Sequence, residues 1–422
     1  MMKHALALDA EMSAPAAAGE RHIAPIPRIS IQAFCETPEF ANSVQAAASD
    51  RRMVKAHVKV QMGGLAGAVE AYRGAVTPNV ILIEHSSNGT ELLAGLDRLA
   101  EVCDAGTKVV VVGRLNDIIL YRELVRRGIS DYLISPLAPI DVVRAVSNLF
   151  SAPDSQPLGR VIAVIGAKGG VGASTIAHNV AFAIARDLAL DTVIADLDLP
   201  FGTAGLDFNQ DPPQGIADAV FSPDRVDNAF IDRLLSKCTD HLSLLASPAT
   251  LEREYDFGTE TFDPILDSMR GSVPYIVLDL PHVWTAWAKR TLVSADEVLL
   301  VTAPDLANLR NAKNLFDFVR SARPNDRMPL YLLNQIGMAK RPEVRTADFA
   351  KALEAEAVAA IPFDPQLFGT AANNGQMIAE VSAGHKIAET FLMVAKALTG
   401  RAEVKKQKRD FLSPLLAKLR GR

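Results

Sequence analysis

Cysteine is scarce in this chain of 422 residues. Cys35, Cys103 and Cys238 are odd in number and far apart. That excludes a disulfide framework and any paired metal-ligand spacing, and it suits a reducing cytoplasm. Long apolar runs are also missing: none reaches the ~18 residues of a membrane span. Residues 1–27 are Ala/Pro-rich with interspersed charges and lack the apolar core of a secretory leader. They are expected to be a flexible arm. Excess positive charge is absent too, since the formal net charge is −5. A general nucleic-acid binder is usually basic, so no specific nucleic acid is expected as partner. No internal repeat is present.

What the chain does have is apolar content, 49% of residues, which is enough for two cores. From Arg28 strands alternate with helices: Ile29–Phe34, a helix over Glu39–Ala48, Val80–Ile83, Val109–Val112, Tyr132–Ile134 and a helix over Ile140–Phe150. Such alternation implies a parallel sheet covered on both faces, placing residues 28–150 in the α/β class. Residues 151–158, rich in Pro, Ser and Asp, read as a linker. A second α/β region covers 159–400. Its strand candidates are Val161–Ile165, Thr192–Ala195, Leu242–Leu245, Tyr275–Leu278, Val298–Thr302 and Leu330–Leu333. Residues 401–422 form a basic tail.

The segment Val161–Thr175 carries the chemistry. A β-branched run is followed by a glycine-rich turn, and Ser174-Thr175 then open an apolar-periodic helix. In that context backbone N–H groups and a helix N-terminus hold a nucleotide's phosphates. The usual G-x-x-x-x-G-K-[ST] pattern fails twice, however. Ala167 stands at the first glycine and Ala173 at the phosphate-reaching lysine, leaving Lys168 as the loop's one cation. Further signals follow later strands: Asp196 and Asp198, Asp279 at the end of an apolar run, Asn334, and Ile361-Pro-Phe-Asp364. Taken singly, each acid is a helix cap and the Asn a turn residue. Their order at successive strand ends is where a doubly wound sheet places ligands.

Ala-Lys-Gly-Gly-Val-Gly (Ala167–Gly172) resembles the deviant phosphate loop of the ParA/MinD ATPases. Segments Leu278–Trp287, Pro304–Asn311, Leu333–Gln335, Ile361–Pro365 and Phe368–Met377 resemble one branch, the CpaE/TadZ proteins of the tight-adherence (Flp/Tad) pilus system. The resemblance implies a receiver-like, flavodoxin-like domain over 28–150, followed by a deviant-Walker P-loop ATPase domain over 159–400 with a mostly parallel, doubly wound sheet. It implies ATP and Mg²⁺ as cofactors, with Ala167, Lys168, Gly169, Gly170, Val171, Gly172, Ala173, Ser174 and Thr175 around the phosphates. Asn334 is assigned to adenine, with Pro362 and Asp364 nearby. Ser174, Asp198 and Asp279 are assigned to Mg²⁺. Catalytic roles go to Asp198, which positions the attacking water, and to Lys168, which reaches across an ATP-dependent homodimer.

Small residues are common at position 173 in that branch. Losing a cation over the β/γ-phosphates hurts the transition state more than binding, so hydrolysis is expected to be slow or partner-dependent. A working receiver needs acids after its first strand, an Asp after the third, a Ser/Thr after the fourth and a Lys after the fifth. Those places hold Cys35-Glu36, Glu84, Gly113 and Ser135, so phosphotransfer is not expected. The tail sums to +6, eight Lys/Arg against Glu403 and Asp410. With Ser413-Pro414 as a helix start, it reads as a membrane-surface or partner-binding helix.

The implied function is a localisation and assembly factor for Flp/Tad-type pili, with other Tad components as partners. It would be cytoplasmic, or peripheral at the inner membrane or cell pole. The alternative is a ParA-like partitioning ATPase acting on DNA or another cargo.

Overall fold

The computed structural model describes residues 23–86, 89–150 and 158–401. Most of the expected arm, nearly all of the linker and the basic tail beyond Arg401 lie outside them. The chain forms two compact units, one running to residue 155 and the other from residue 156.

In the first unit the strands are β1 (Ser30–Cys35), β2 (His57–Met62), β3 (Val80–Glu84), β4 (Lys108–Gly113) and β5 (Asp131–Ile134). All pairings are parallel, in the order β2-β1-β3-β4-β5. That is the flavodoxin-like arrangement. Successive side chains of a strand point to opposite faces. Val80 and Leu82 accordingly join a core with Phe40, Val44, Val142 and Val146, under the helices Pro38–Ala48 and Pro139–Phe150. Ile81 and Ile83 join the opposite core with Leu65, Leu92, Leu96 and Leu124. Strand β2 was not expected from the sequence. It is an edge strand, and polar His57, Lys59 and Gln61 alternate with half-buried Val58 and Val60.

The second unit holds β6 (Arg160–Gly166), β7 (Thr192–Asp196), β8 (Ser236–Lys237), β9 (Leu242–Leu245), β10 (Tyr275–Leu280), β11 (Glu297–Thr302), β12 (Leu330–Ile336) and β13 (Ala359–Pro362). Their order is β13-β12-β11-β6-β10-β7-β9-β8. Every pair is parallel except β8 with β9. Val161, Ala163 and Ile165 of central β6 pack toward Trp287, Leu292, Phe316 and Phe349 on one face. Ile162 and Val164 pack toward Ile176, Val180 and Ile184 of helix Ala173–Leu188, with Phe391 and Val394 of helix Lys386–Leu398 behind. A central strand buried on both faces reads as a continuous apolar run, which is why β6 is legible. The parallel pairing brings the C-terminal ends of β6, β7, β10, β11 and β12 to one edge, where a doubly wound sheet binds ligands. No helix among the described residues is long and apolar enough to cross a membrane.

Candidate functional site

Between Gly166 and helix Ala173–Leu188 the chain makes a tight loop. Gly170 and Gly172 take φ of +80° and +82°, which non-glycine residues rarely adopt. A Cβ on Gly172 would also lie 2.8 Å from Asn334 Nδ2.

The loop's carbonyls are held from outside by side chains of neighbouring elements. Gly166 O bonds His282 Nδ1 (3.0 Å), and Ala167 O accepts from Asn311 Nδ2 (3.0 Å). Gly170 O accepts from Gln335 Nε2 (3.0 Å) and Val171 O from Asn334 Nδ2 (2.8 Å). Four of the loop's carbonyls are thereby paired with side chains of neighbouring elements. Val171 and Ala167 are buried, whereas Lys168, Gly169 and Gly170 are exposed. Ala173, Ser174 and Thr175 are half-buried in the first helical turn, where the positive end of the helix dipole favours negative charge. The charge of Lys168 reaches Asp305, the N-cap of helix Leu306–Ala322. Burial alone would raise that carboxyl's pKa, but hydrogen bonds from Asn308 and the charge of this lysine bring it below the usual value.

Asn334, Pro362 and Asp364 line a cavity of about 140 Å³ together with Gly172, Thr175 and Phe368. Asn334 is buried and already donates to Val171 O, so its amide braces the loop as well as facing the cavity. Asp364 caps helix Pro365–Asn374 through Leu367 N (3.0 Å). A second cavity, of about 380 Å³, lies on the loop's other flank between Ala167, His282, Asn311, Phe318 and half-exposed Trp284. Trp284 stands edge-on to Phe318 at 5.0 Å.

The acids form a buried cluster. Asp196 is fully buried and pairs in register with Asp279 across β7 and β10. It organises the chain beyond β7: Oδ1 accepts from Asp198 N (3.0 Å), and Oδ2 from Ala204 N and Ser247 Oγ (both 3.1 Å). Burial, reinforced by Asp279, pushes its pKa up to about 7, with His178 opposing. Asp198 is half-buried and accepts from Phe201 N (3.3 Å). Burial raises its pKa, Asp279 adds to the rise, and the Phe201 N–H opposes it.

His178, fully buried on the loop's helix, bonds Asp207 Oδ2 through Nδ1 at 2.7 Å. Its Nε2 stands 3.4 Å from Asp279 Oδ2, an ion-pair distance without hydrogen-bond alignment. Burial would lower its pKa, but Asp207 and Asp279 outweigh that and raise it to about 10.

Sequence reasoning missed His178, Asp207, His282, Asn311 and the part played by Asp196. One signal was available for His178: it lies four residues after Ser174 on a helix whose buried face is otherwise almost wholly apolar.

Among the described residues no group of three or more His, Cys, Asp or Glu is arranged to hold a metal ion. Mg²⁺ in a nucleotide complex needs no such cage, because phosphates and waters supply most of its ligands. The residues present fit that use. Asp279 Oδ1 is buried without a hydrogen-bond partner, and the half-buried Ser174 hydroxyl is likewise a hard oxygen donor.

In the first unit the corresponding strand-end acid is occupied internally. Glu84, buried at the end of β3, accepts from Glu36 N (2.7 Å), Thr37 N (2.8 Å) and Thr37 Oγ1 (2.6 Å).

A family model described as an AAA domain matches residues 159–330. A crystal structure of the pilus assembly protein CpaE from Caulobacter crescentus is 51% identical. It covers 31% of this chain and 100% of that chain, with a TM-score of 0.30. Identity at that level over the whole of a solved chain decides the family. The chain belongs to the CpaE branch of the ParA/MinD-type ATPases. A ParA-family ATPase structure from Chlorobium tepidum is 25% identical, covering 56% of this chain and 98% of that one, with a TM-score of 0.51. The septum site-determining protein MinD of Synechocystis is 28% identical over 165 residues, 39% of this chain. The chain spans 60% of the length of that curated relative.

Proposed function

We propose that this CpaE-branch chain binds Mg²⁺–ATP and acts as a nucleotide-dependent dimeric switch in the assembly or localisation of a Flp/Tad-type pilus. The observation that carries the nucleotide reading is the loop's bracing. Its carbonyls are paired with His282, Asn311, Gln335 and Asn334, and the glycine-rich backbone N–H groups with the helix N-terminus are what a phosphate would take. The pilus reading rests on likeness to a protein named for pilus assembly.

In this proposal the backbone from Ala167 to Gly172, with Ala173, Ser174 and Thr175, holds the phosphates. Asn334, Pro362 and Asp364 face the nucleoside. Ser174 and Asp279 are the oxygen donors toward Mg²⁺, with Asp198 placed to orient water. Bound Mg²⁺ would supply charge neutralisation at the phosphates. Exposed Lys168 is free to reach a partner's nucleotide. Ala173 brings no cation, so turnover is slow or partner-driven. Residues 401–422 are the candidate contact with the inner membrane, and liposome co-sedimentation with and without them tests that role.

Sedimentation velocity of the full chain with ATP, ADP and no nucleotide tests the switch. A dimer formed only with ATP supports it, and a nucleotide-independent state sinks it. Likeness to a ParA-family ATPase over nearly all of that chain keeps a partitioning role as the second reading. ATP-dependent retardation of DNA would favour that role.

A further inference from the structure

We propose that His178 is a positioning residue for the Mg²⁺–nucleotide, holding the Asp279 carboxylate in place and linking it, through Asp207, to the segment that carries Asp198. The inference rests on the nucleotide reading above.

His178 lies four residues beyond Ser174, on the same face of the helix that opens at the phosphate loop. It is fully buried, and Phe208 is its aromatic neighbour at a centroid distance of 5.6 Å. If packing were its whole purpose, an apolar side chain would avoid the cost of burying an imidazole between two carboxylates. One ring nitrogen is well satisfied by Asp207 at 2.7 Å. The other is not: Nε2 lies 3.4 Å from Asp279 Oδ2 without alignment, and Asp279 Oδ1 has no partner.

Two incomplete buried groups therefore converge at the end of β10, the strand paired directly with β6 just before the loop. Hydrogen bonds of catalytic groups that are long or poorly aligned often tighten only in the bound complex. The opposite nitrogen fixes the ring's orientation, as a carboxylate does for an imidazole that serves a metal site. Asp207 ends the short helix Ala204–Asp207, whose first N–H is held by Asp196, and that helix directly follows the turn containing Asp198. His178 thus touches both the acid at the end of β10 and the segment beyond β7.

The test is ATP affinity of the full-length protein by titration calorimetry, with Mg²⁺ and with EDTA. Wild type, His178→Phe, His178→Gln and Asp207→Asn are compared. The expected result is a loss of about 10–100-fold in the Mg²⁺ enhancement of affinity for His178→Phe. Affinity in EDTA stays nearly unchanged. His178→Gln, which keeps a donor, recovers part of the enhancement, and Asp207→Asn falls between. Unchanged enhancement in His178→Phe and Asp207→Asn overturns the proposal. So does an equal loss with and without Mg²⁺, which is what a purely structural role gives. Should His178→Phe fail to fold, Asp207→Asn, altered at a partly exposed side chain, decides alone. Wild type with no Mg²⁺-dependent ATP binding overturns the nucleotide reading itself and this inference with it.

Discussion

Asp196 and Asp279 stand side by side in register on β7 and β10, both buried. Burial first, and then the repulsion of a second carboxylate at its side, raise Asp196 to about 7. His178 supplies the compensating positive charge. The three side chains form one electrostatic unit, so substitutions among them should be non-additive.

In the proposed switch the two loop positions, 168 and 173, separate assembly from turnover. Lys168→Ala is expected to abolish ATP-dependent dimers in sedimentation while leaving monomer ATP affinity in place. Ala173→Lys is expected to raise steady-state phosphate release by about 100–1,000-fold, the usual worth of one preorganised donor. Ordinary P-loop turnover by the isolated wild type would contradict this.

Asn334→Ala removes the brace on Val171 O and leaves a carbonyl unpaired. The expected cost is about 1–3 kcal/mol. ATP affinity should fall by about tenfold, at 1.4 kcal/mol per decade. Asn314→Ala, in the cavity on the other flank, is the control and should leave affinity unchanged. Equal effects would remove the bracing argument.

Glu84→Ala should loosen the β1 end of the first unit. Three donors, two from backbone and one from Thr37, lose their acceptor, at a cost of about 3 kcal/mol. Hydrogen exchange of the full chain should quicken around Glu36 and Thr37 and remain unchanged in the second unit. Acetyl phosphate should leave wild-type residues 23–150 unmodified; labelling there would overturn the reading of a receiver that does not receive.

The thiols give a pH expectation. Burial, with Glu84 adding, pushes Cys35 up to about 12. Burial, with Glu380 adding, does the same to Cys238, and Cys103 is raised for like reasons. A raised native pKa means the folded state holds the proton more tightly than the unfolded one. Stability from Cys35 and Cys238 is therefore complete below the ordinary value of 9.0 and is lost as pH climbs toward about 12. At pH 8 iodoacetamide should label native Cys35 far more slowly than the denatured chain, read by mass spectrometry. Rapid native labelling would contradict it.

The architecture was largely legible where burial is two-sided. Strands β3, β4, β6, β10 and β11 announce themselves as apolar runs because no face of them meets water. Strand β2 was hidden because an edge strand with a polar side alternates like many loops. The glycine-rich loop between β6 and its helix was legible from glycine spacing and helix start, since both are local. His178 was not, because its meaning depends on β10 and on Asp207, which only the fold brings to it. Asp196 and Asp198 stand two residues apart in the same motif, yet only burial distinguishes the organiser from the acid left half-open.

Trp284 and Trp287 are the two tryptophans in the chain, and both follow Asp279 within eight residues. One is half-exposed against Phe318 beside Ala167, while the other is sealed among Phe257 and Phe262. The whole indole emission of the protein therefore arises from the segment bordering the glycine-rich loop. Its quenching by a small solute should divide into an accessible and an inaccessible half, giving an unlabelled optical signal of what happens at that loop.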